Sequence, residues 1–73
     1  MRQITIDRFE KNGHIVVMKE IELGYPIVAE RRHIVFSKAP GKKIREYAYT
    51  DVDSRRLATD QFEFIKSLIA LNH

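Results

Sequence analysis

The chain contains no cysteine and no tryptophan among its 73 residues. A disulfide and every cysteine-based metal site are therefore excluded, and only a small hydrophobic core can hold a chain of this length together. The lack of cysteine also agrees with a reducing, cytoplasmic location. No apolar run approaches the ~20 residues of a membrane span, so we expect no membrane partner. The 44% hydrophobic content nevertheless predicts a single small globular domain over residues 1–73.

The residue combinations that carry metal binding or catalysis are also missing. The histidines, His14, His33 and His73, form no metal-binding spacing. None of the serines, Ser54 included, lies in a nucleophile motif with a recognisable base. The three glycines fall one per turn and form no phosphate-binding loop. We therefore expect no metal, no other cofactor and no enzymatic activity.

Four β-strands are predicted in the first 50 residues. Apolar and polar residues alternate over residues 2–9, and residues 14–23 are rich in Ile and Val. Between them stands Asn12–Gly13, the strongest short hairpin signal. Gly24 and Pro26 precede a third predicted strand over residues 27–37. Pro40 and Gly41 separate it from a fourth over residues 44–50.

Two registers are open for the first hairpin. A two-residue turn at Asn12–Gly13 would place Ile4 opposite Ile21. A three-residue loop, with the glycine in the left-handed conformation, would create two apolar pairs, Ile6 with Met18 and Phe9 with Ile15. We prefer the three-residue loop because apolar pairs across a ladder stabilise a sheet.

The stretch from Ser54 to Leu71 predicts one amphipathic helix without internal Gly or Pro. Residues 50–54 offer several N-caps, and Thr59 offers an alternative start. The whole pattern predicts an α+β fold, ββββα, in which a four-stranded antiparallel sheet is followed by one C-terminal helix that packs across one face. This element order is similar to that of a family of single-strand-binding coactivators, whose helix also mediates dimerisation. Only the order of elements carries the resemblance, and it transfers no site residues.

The apolar arc of this helix is about 180° wide, whereas packing on one core needs roughly 100°. One margin of the arc should therefore face the sheet and the other a second subunit, so we expect a homodimer. The interface candidates on the helix lie on these two margins: Phe64, Leu68 and Leu71 on one, Phe62 and Ile69 on the other. Tyr25, held between Gly24 and Pro26, is either a further protein-contact anchor or a cover for the end of the core.

The net charge is only +3, but the charge is unevenly spread. Residues 31–45 hold six basic residues and no acidic one, and two antiparallel strands would fold this block into one patch. Such a patch can neutralise phosphates, and tyrosines on the same strand face can stack on bases. The nucleic-acid-binding candidates are Arg31, Arg32, Lys42, Lys43, Arg45, Tyr47 and Tyr49. A simpler interpretation is a solubilising hairpin tip with two core tyrosines.

Two functions follow from these patterns. The first is a non-enzymatic module that binds nucleic acid, with single strands favoured, through the basic hairpin. The alternative is a protein-binding inhibitor or adaptor, of the accessory kind carried by viruses and plasmids. That module would dock on a larger partner through its leftover apolar surface and Tyr25.

Overall fold

A computed structural model describes the backbone of residues 2–24, 29–50 and 52–72, and the side chains of these residues except 23–31 and 72. It confirms the ββββα fold. The strands form one antiparallel sheet in the order of the chain, and the helix follows the last strand. The elements are β1 (Arg2–Lys11), β2 (His14–Gly24), β3 (Ala29–Lys38), β4 (Arg45–Tyr49) and α1 (Ser54–Asn72).

The first hairpin has a two-residue turn, so the preferred three-residue loop was wrong. Lys11 lies opposite His14, and Phe9 lies opposite Val16 rather than Ile15. Asn12 and Gly13 have φ angles of 51° and 81°. Positive φ at both central residues gives the turn a twist that matches the twist of the strands. This match favours the two-residue turn over the three-residue loop.

A β-bulge at Ile6 then shifts the register between Thr5 and Asp7. Beyond the bulge Ile4 lies opposite Glu20, so the Ile4–Ile21 pair of an unbroken ladder does not form either. In an unbroken ladder Ile6 and Phe9 would point to opposite faces, because side chains alternate along a strand. Because Ile6 is itself the extra residue of the bulge, it departs from this alternation, and both Ile6 and Phe9 pack against the core.

The core lies between one face of the sheet and α1. Phe62, Ala58 and Ile69 of the helix pack on Val16, Met18 and Val35 of the two central strands. Phe62 is fully buried and Ile69 is 9% exposed, so the core takes up these two interface candidates, as expected for one of the two margins. They mark the margin of the apolar arc that faces the sheet. The other margin, Phe64, Leu68 and Leu71, is exposed by 59%, 44% and 74%.

The helix begins where the caps at residues 50–54 predicted it. The carbonyl of Asp53 accepts the first helical hydrogen bond, from Leu57 N–H, at 2.9 Å. The alternative start at Thr59 was wrong, because Thr59 lies inside the helix and its hydroxyl donates to the carbonyl of Arg55 at 2.7 Å. Residue 51 lies outside the described residues.

Two lysines close the side of α1 that faces β1. The Lys11 ammonium donates to the carbonyl of Ala70 at 3.1 Å, and the Lys66 ammonium lies 5.5 Å from the ring centre of Phe9. On the opposite side, an opening remains between the second half of the helix and the connection from β3 to β4. That opening forms the candidate site.

Candidate functional site

A groove of about 290 Å³ lies between the second half of α1 and the connection from β3 to β4. We call it the cationic groove. Its apolar walls come from β2, β4 and the helix, and its rim carries four basic side chains. None of the described aspartate or glutamate residues lines it. Its apolar walls include Ile15, Tyr47, Phe64, Ile65, Leu68 and Ile69, and the rim cations are Lys38, Lys42, Lys43 and Arg45.

The tight turn after β3 positions the rim. Lys42 N–H donates to the carbonyl of Ala39 at 3.1 Å, and Gly41 adopts a φ of 71° that favours glycine. The chain therefore reverses within a few residues, which brings Lys38 at the end of β3 near Arg45 at the start of β4. All four rim cations are exposed, and none pairs with an acidic side chain in the described part of the chain.

The sequence predicted that the basic residues between positions 31 and 45 form one patch. The structure separates them. Arg32 lies opposite Ile21, six residues before Lys38 on the same strand. At about 3.3 Å per residue this separates Arg32 from the rim by roughly 20 Å. Arg31 is part of β3, but its side chain lies outside the described residues, as does Tyr25. Among the candidate cations, the groove therefore gathers Lys42, Lys43 and Arg45, together with Lys38.

The two tyrosines of β4 share the helix-facing side of the sheet with Arg45, as the strand alternation predicted. Tyr47 and Tyr49 are half-buried, and both pack against the core cluster. Tyr47 also contributes to the wall of the groove. Since the core already covers part of each ring, the packing agrees with the simpler interpretation of core tyrosines.

The structure also contains a polar cluster that sequence reasoning missed. His33 Nδ1 lies 2.6 Å from the hydroxyl oxygen of Ser54. On the other side of the ring, His33 Nε2 lies 3.3 Å from Glu20 Oε1, close enough for an ion pair but not aligned as a hydrogen bond. The three residues are far apart in sequence. Only the pairing of Glu20 with His33 across β2 and β3, and the return of α1 over them, brings them together.

A serine, a histidine and a carboxylate in a row have the chemistry of a hydrolase triad. Here, however, Ser54 and His33 are each only 4% exposed. A nucleophile must reach its substrate, and the first turn of α1 and the sheet enclose this hydroxyl. We therefore assign the cluster a structural role, in which it fastens the start of the helix to the two central strands.

Other kinds of site find no support in the described residues. No three histidine, aspartate or glutamate side chains among them are grouped to hold a metal ion. No helix in the described part of the chain has the length and apolar content needed to cross a bilayer. Comparisons with protein-family models, curated proteins and solved structures gave no match for this chain.

Proposed function

We propose that this protein is a non-catalytic binding module whose cationic groove takes an acidic, amphipathic segment of a partner protein. The observation that carries the proposal is the composition of the groove. Four exposed cations surround an apolar floor, and no acidic residue in the described part of the chain lines it. A segment with apolar side chains on one side and carboxylates on the other would satisfy both parts of this surface at once.

The apolar part of the groove favours a protein over a nucleic acid. Its floor is mainly aliphatic, formed by Ile15, Ile65, Leu68 and Ile69. Of its two aromatic residues, Phe64 is exposed but Tyr47 is half-buried against the core. Single-stranded nucleic acids are held by stacking on exposed aromatic faces. Aliphatic walls contribute little to stacking, but they suit Leu, Ile or Phe side chains of a protein.

The two parts of the surface would contribute differently to binding. Burial of Phe64 and Leu68 would supply most of the affinity, because removing apolar area from water is favourable by about 25 cal/mol per Å². The rim cations would mainly speed association and select acidic partners, because exposed charges act more on association rate and specificity than on affinity. Covering a functional segment would make the module an inhibitor, and presenting a second surface would make it an adaptor.

The proposal can be tested by selecting random peptides displayed on phage against the wild-type protein. The enriched peptides should combine Asp or Glu with Leu, Ile or Phe. Fluorescence anisotropy of one labelled peptide then measures affinity, and the double change Lys42→Ala with Lys43→Ala should weaken binding about tenfold or more at low salt. The change Leu68→Ser should weaken it at every salt concentration, since an apolar contact is not screened.

A matched control removes the same two charges elsewhere. Arg55 and Arg56 are exposed in the first turn of α1 and do not line the groove. Changing both to Ala should leave peptide affinity nearly unchanged. If single-stranded DNA binds more tightly than any selected peptide and Leu68→Ser has no effect, the nucleic-acid alternative is correct. If the selected peptides lack acidic residues, the groove does not have the proposed role.

Two further expectations remain predictions. A homodimer through α1 would have to use Phe64, Leu68 and Leu71, because the other margin of the apolar arc is buried. It would therefore compete with a segment bound in the groove. A cytoplasmic location rests on the absence of cysteine alone.

A further inference from the structure

The face of the sheet opposite α1 has no cover among the described residues. Val16, Met18 and Val35 face the helix, so strand alternation turns their neighbours to the other side. We call that side the open face. Ile34 on it is buried, Ala48 is exposed and the remaining apolar residues are half-buried. Its apolar residues are Val17, Ile21, Ile34, Phe36 and Ala48.

One row of residues crosses the open face from edge to edge. Arg8 lies opposite Val17, Val17 opposite Phe36, and Phe36 opposite Glu46. The row thus has a positive end on β1, two large apolar residues in the middle and a negative end on β4. Such a row is complementary to itself when reversed.

We propose that two copies of this chain pack through their open faces, giving a homodimer with layers in the order helix, sheet, sheet, helix. Its two-fold axis runs parallel to the strands, between β2 and β3, so that β1 of one copy lies over β4 of the other. In the row described above, Val17 then meets Phe36 of the second copy, and Arg8 meets Glu46 of the second copy. The symmetry repeats both contacts on the other side of the axis.

The chain's own interactions leave these charges available. Arg8 pairs with Glu10 at 2.6 Å, but both side chains are about half exposed, and exposed ion pairs contribute little. Glu46 has no ion-pair partner in the described part of the chain. Two further cations lie on the central strands of this face: Arg32, opposite Ile21, and Lys19, whose ammonium lies 5.7 Å from the ring centre of Phe36. Their flexible stems can lie along the interface while the charged groups reach the rim.

The size of the open face approaches that of a standard dimer interface. Three strands of 10 or 11 residues and one of 5 give an outline of about 550 Å² from the usual strand spacing and rise. Side-chain relief raises the accessible area above this outline, towards the roughly 800 Å² per partner of a standard interface. Aligned sheets pack face to face at about 10 Å, which the side chains of Val17 and Phe36 can fill.

Charge reversal tests the arrangement without touching the core. In a dimer of the Arg8→Glu variant, two carboxylates meet at each end of the row. In a dimer of the Glu46→Arg variant, two guanidinium groups meet there. Sedimentation equilibrium should show that either variant alone dissociates about tenfold or more readily than wild type, because opposed like charges are costly at an interface. An equimolar mixture of the two variants restores opposite charges at both ends, so it should form heterodimers as stable as the wild-type dimer.

A second pair of variants separates the open face from the helix. Val17→Asp should give monomers that keep the circular dichroism spectrum of the fold, whereas Leu68→Asp should remain dimeric. The proposal is overturned if wild type is monomeric at micromolar concentration or if the mixed charge variants do not associate. It is also overturned if Leu68→Asp rather than Val17→Asp breaks the dimer, which would support a dimer through α1. These measurements need no peptide, so their outcome is independent of the function proposed for the groove.

Discussion

Ser54 and His33 are buried polar side chains at the point where α1 meets the sheet. Burying a polar group costs free energy unless it finds a hydrogen-bond partner. Here the hydroxyl of Ser54 and Nδ1 of His33 satisfy each other at 2.6 Å, and Glu20 faces the opposite ring nitrogen. The cluster therefore fixes where the helix begins relative to β2 and β3, because any other position would leave these groups unsatisfied.

The change Ser54→Ala should lower the free energy of unfolding by about 1–3 kcal/mol, because it leaves a buried ring nitrogen without its partner. Ser67→Ala is the matched control, since Ser67 is an exposed serine on the same helix. It should have no destabilising effect, because alanine is the better helix former. Urea unfolding followed by circular dichroism measures both. Equal stability of the two variants would show that the cluster contributes nothing.

At the scale of elements, the turn between β1 and β2 contacts the turn between β3 and β4. Gly13 and Gly41 both have positive φ, but a Cβ on Gly13 would lie 3.0 Å from Cγ of Pro40, whereas a Cβ on Gly41 would meet nothing within 4 Å. Gly41→Ala should therefore cost about 1–2 kcal/mol from the backbone alone, and Gly13→Ala should cost more. Adding Pro40→Ala should remove most of the difference, as a double-mutant cycle in urea would measure. Equal costs of the two glycine changes would contradict a contact between the turns.

The order of the elements could be predicted from the sequence because its signals are local. Asn12–Gly13 marked the first turn, and the change of hydrophobic period after Asp53 marked the helix. The strand register could not be predicted, because the bulge at Ile6 depends on how β1 packs against the helix. A preference for apolar pairs across the ladder chose the wrong loop. The intrinsic twist of a turn with two positive φ angles decided the register instead.

The candidate site was predicted only in part, for the same reason. The sequence shows that residues 31–45 are basic and contain no acidic residue. Of these, Lys42, Lys43 and Arg45 do lie together at the groove. Arg32 does not lie with them. It precedes Lys38 by six residues on β3, and each residue of a strand adds about 3.3 Å. Which margin of the helix is exposed also depends on how the helix rotates on the sheet. Phe62 and Phe64 belong to the same apolar arc, but only the packing shows that the first is buried and the second exposed.

At the scale of the whole molecule, a two-layer fold of 73 residues leaves two surfaces that its own core does not use. One is the groove beside Phe64 and Leu68, and the other is the open face of the sheet around Val17 and Phe36. They lie on opposite sides of the sheet. A dimer through the open faces would therefore leave both grooves accessible, pointing outwards, and a partner with two acidic segments could engage both with a gain in avidity.

The pair Phe62 and Phe64 gives the sharpest test of how the molecule divides between core and surface. A domain of this length has a stability of about 4–11 kcal/mol, at 0.05–0.15 kcal/mol per residue. Phe62→Ala empties a fully buried site and should cost about 3–5 kcal/mol, enough to leave the variant largely unfolded at the lower end of that range. Phe64→Ala makes the same chemical change two residues away, at an exposed site, and should alter stability by no more than about 0.5 kcal/mol. It should instead weaken binding of a peptide selected for the groove. Thermal melts and fluorescence anisotropy on the two variants measure both effects, and a large loss of stability in Phe64→Ala would show that the helix does not sit on the sheet as described.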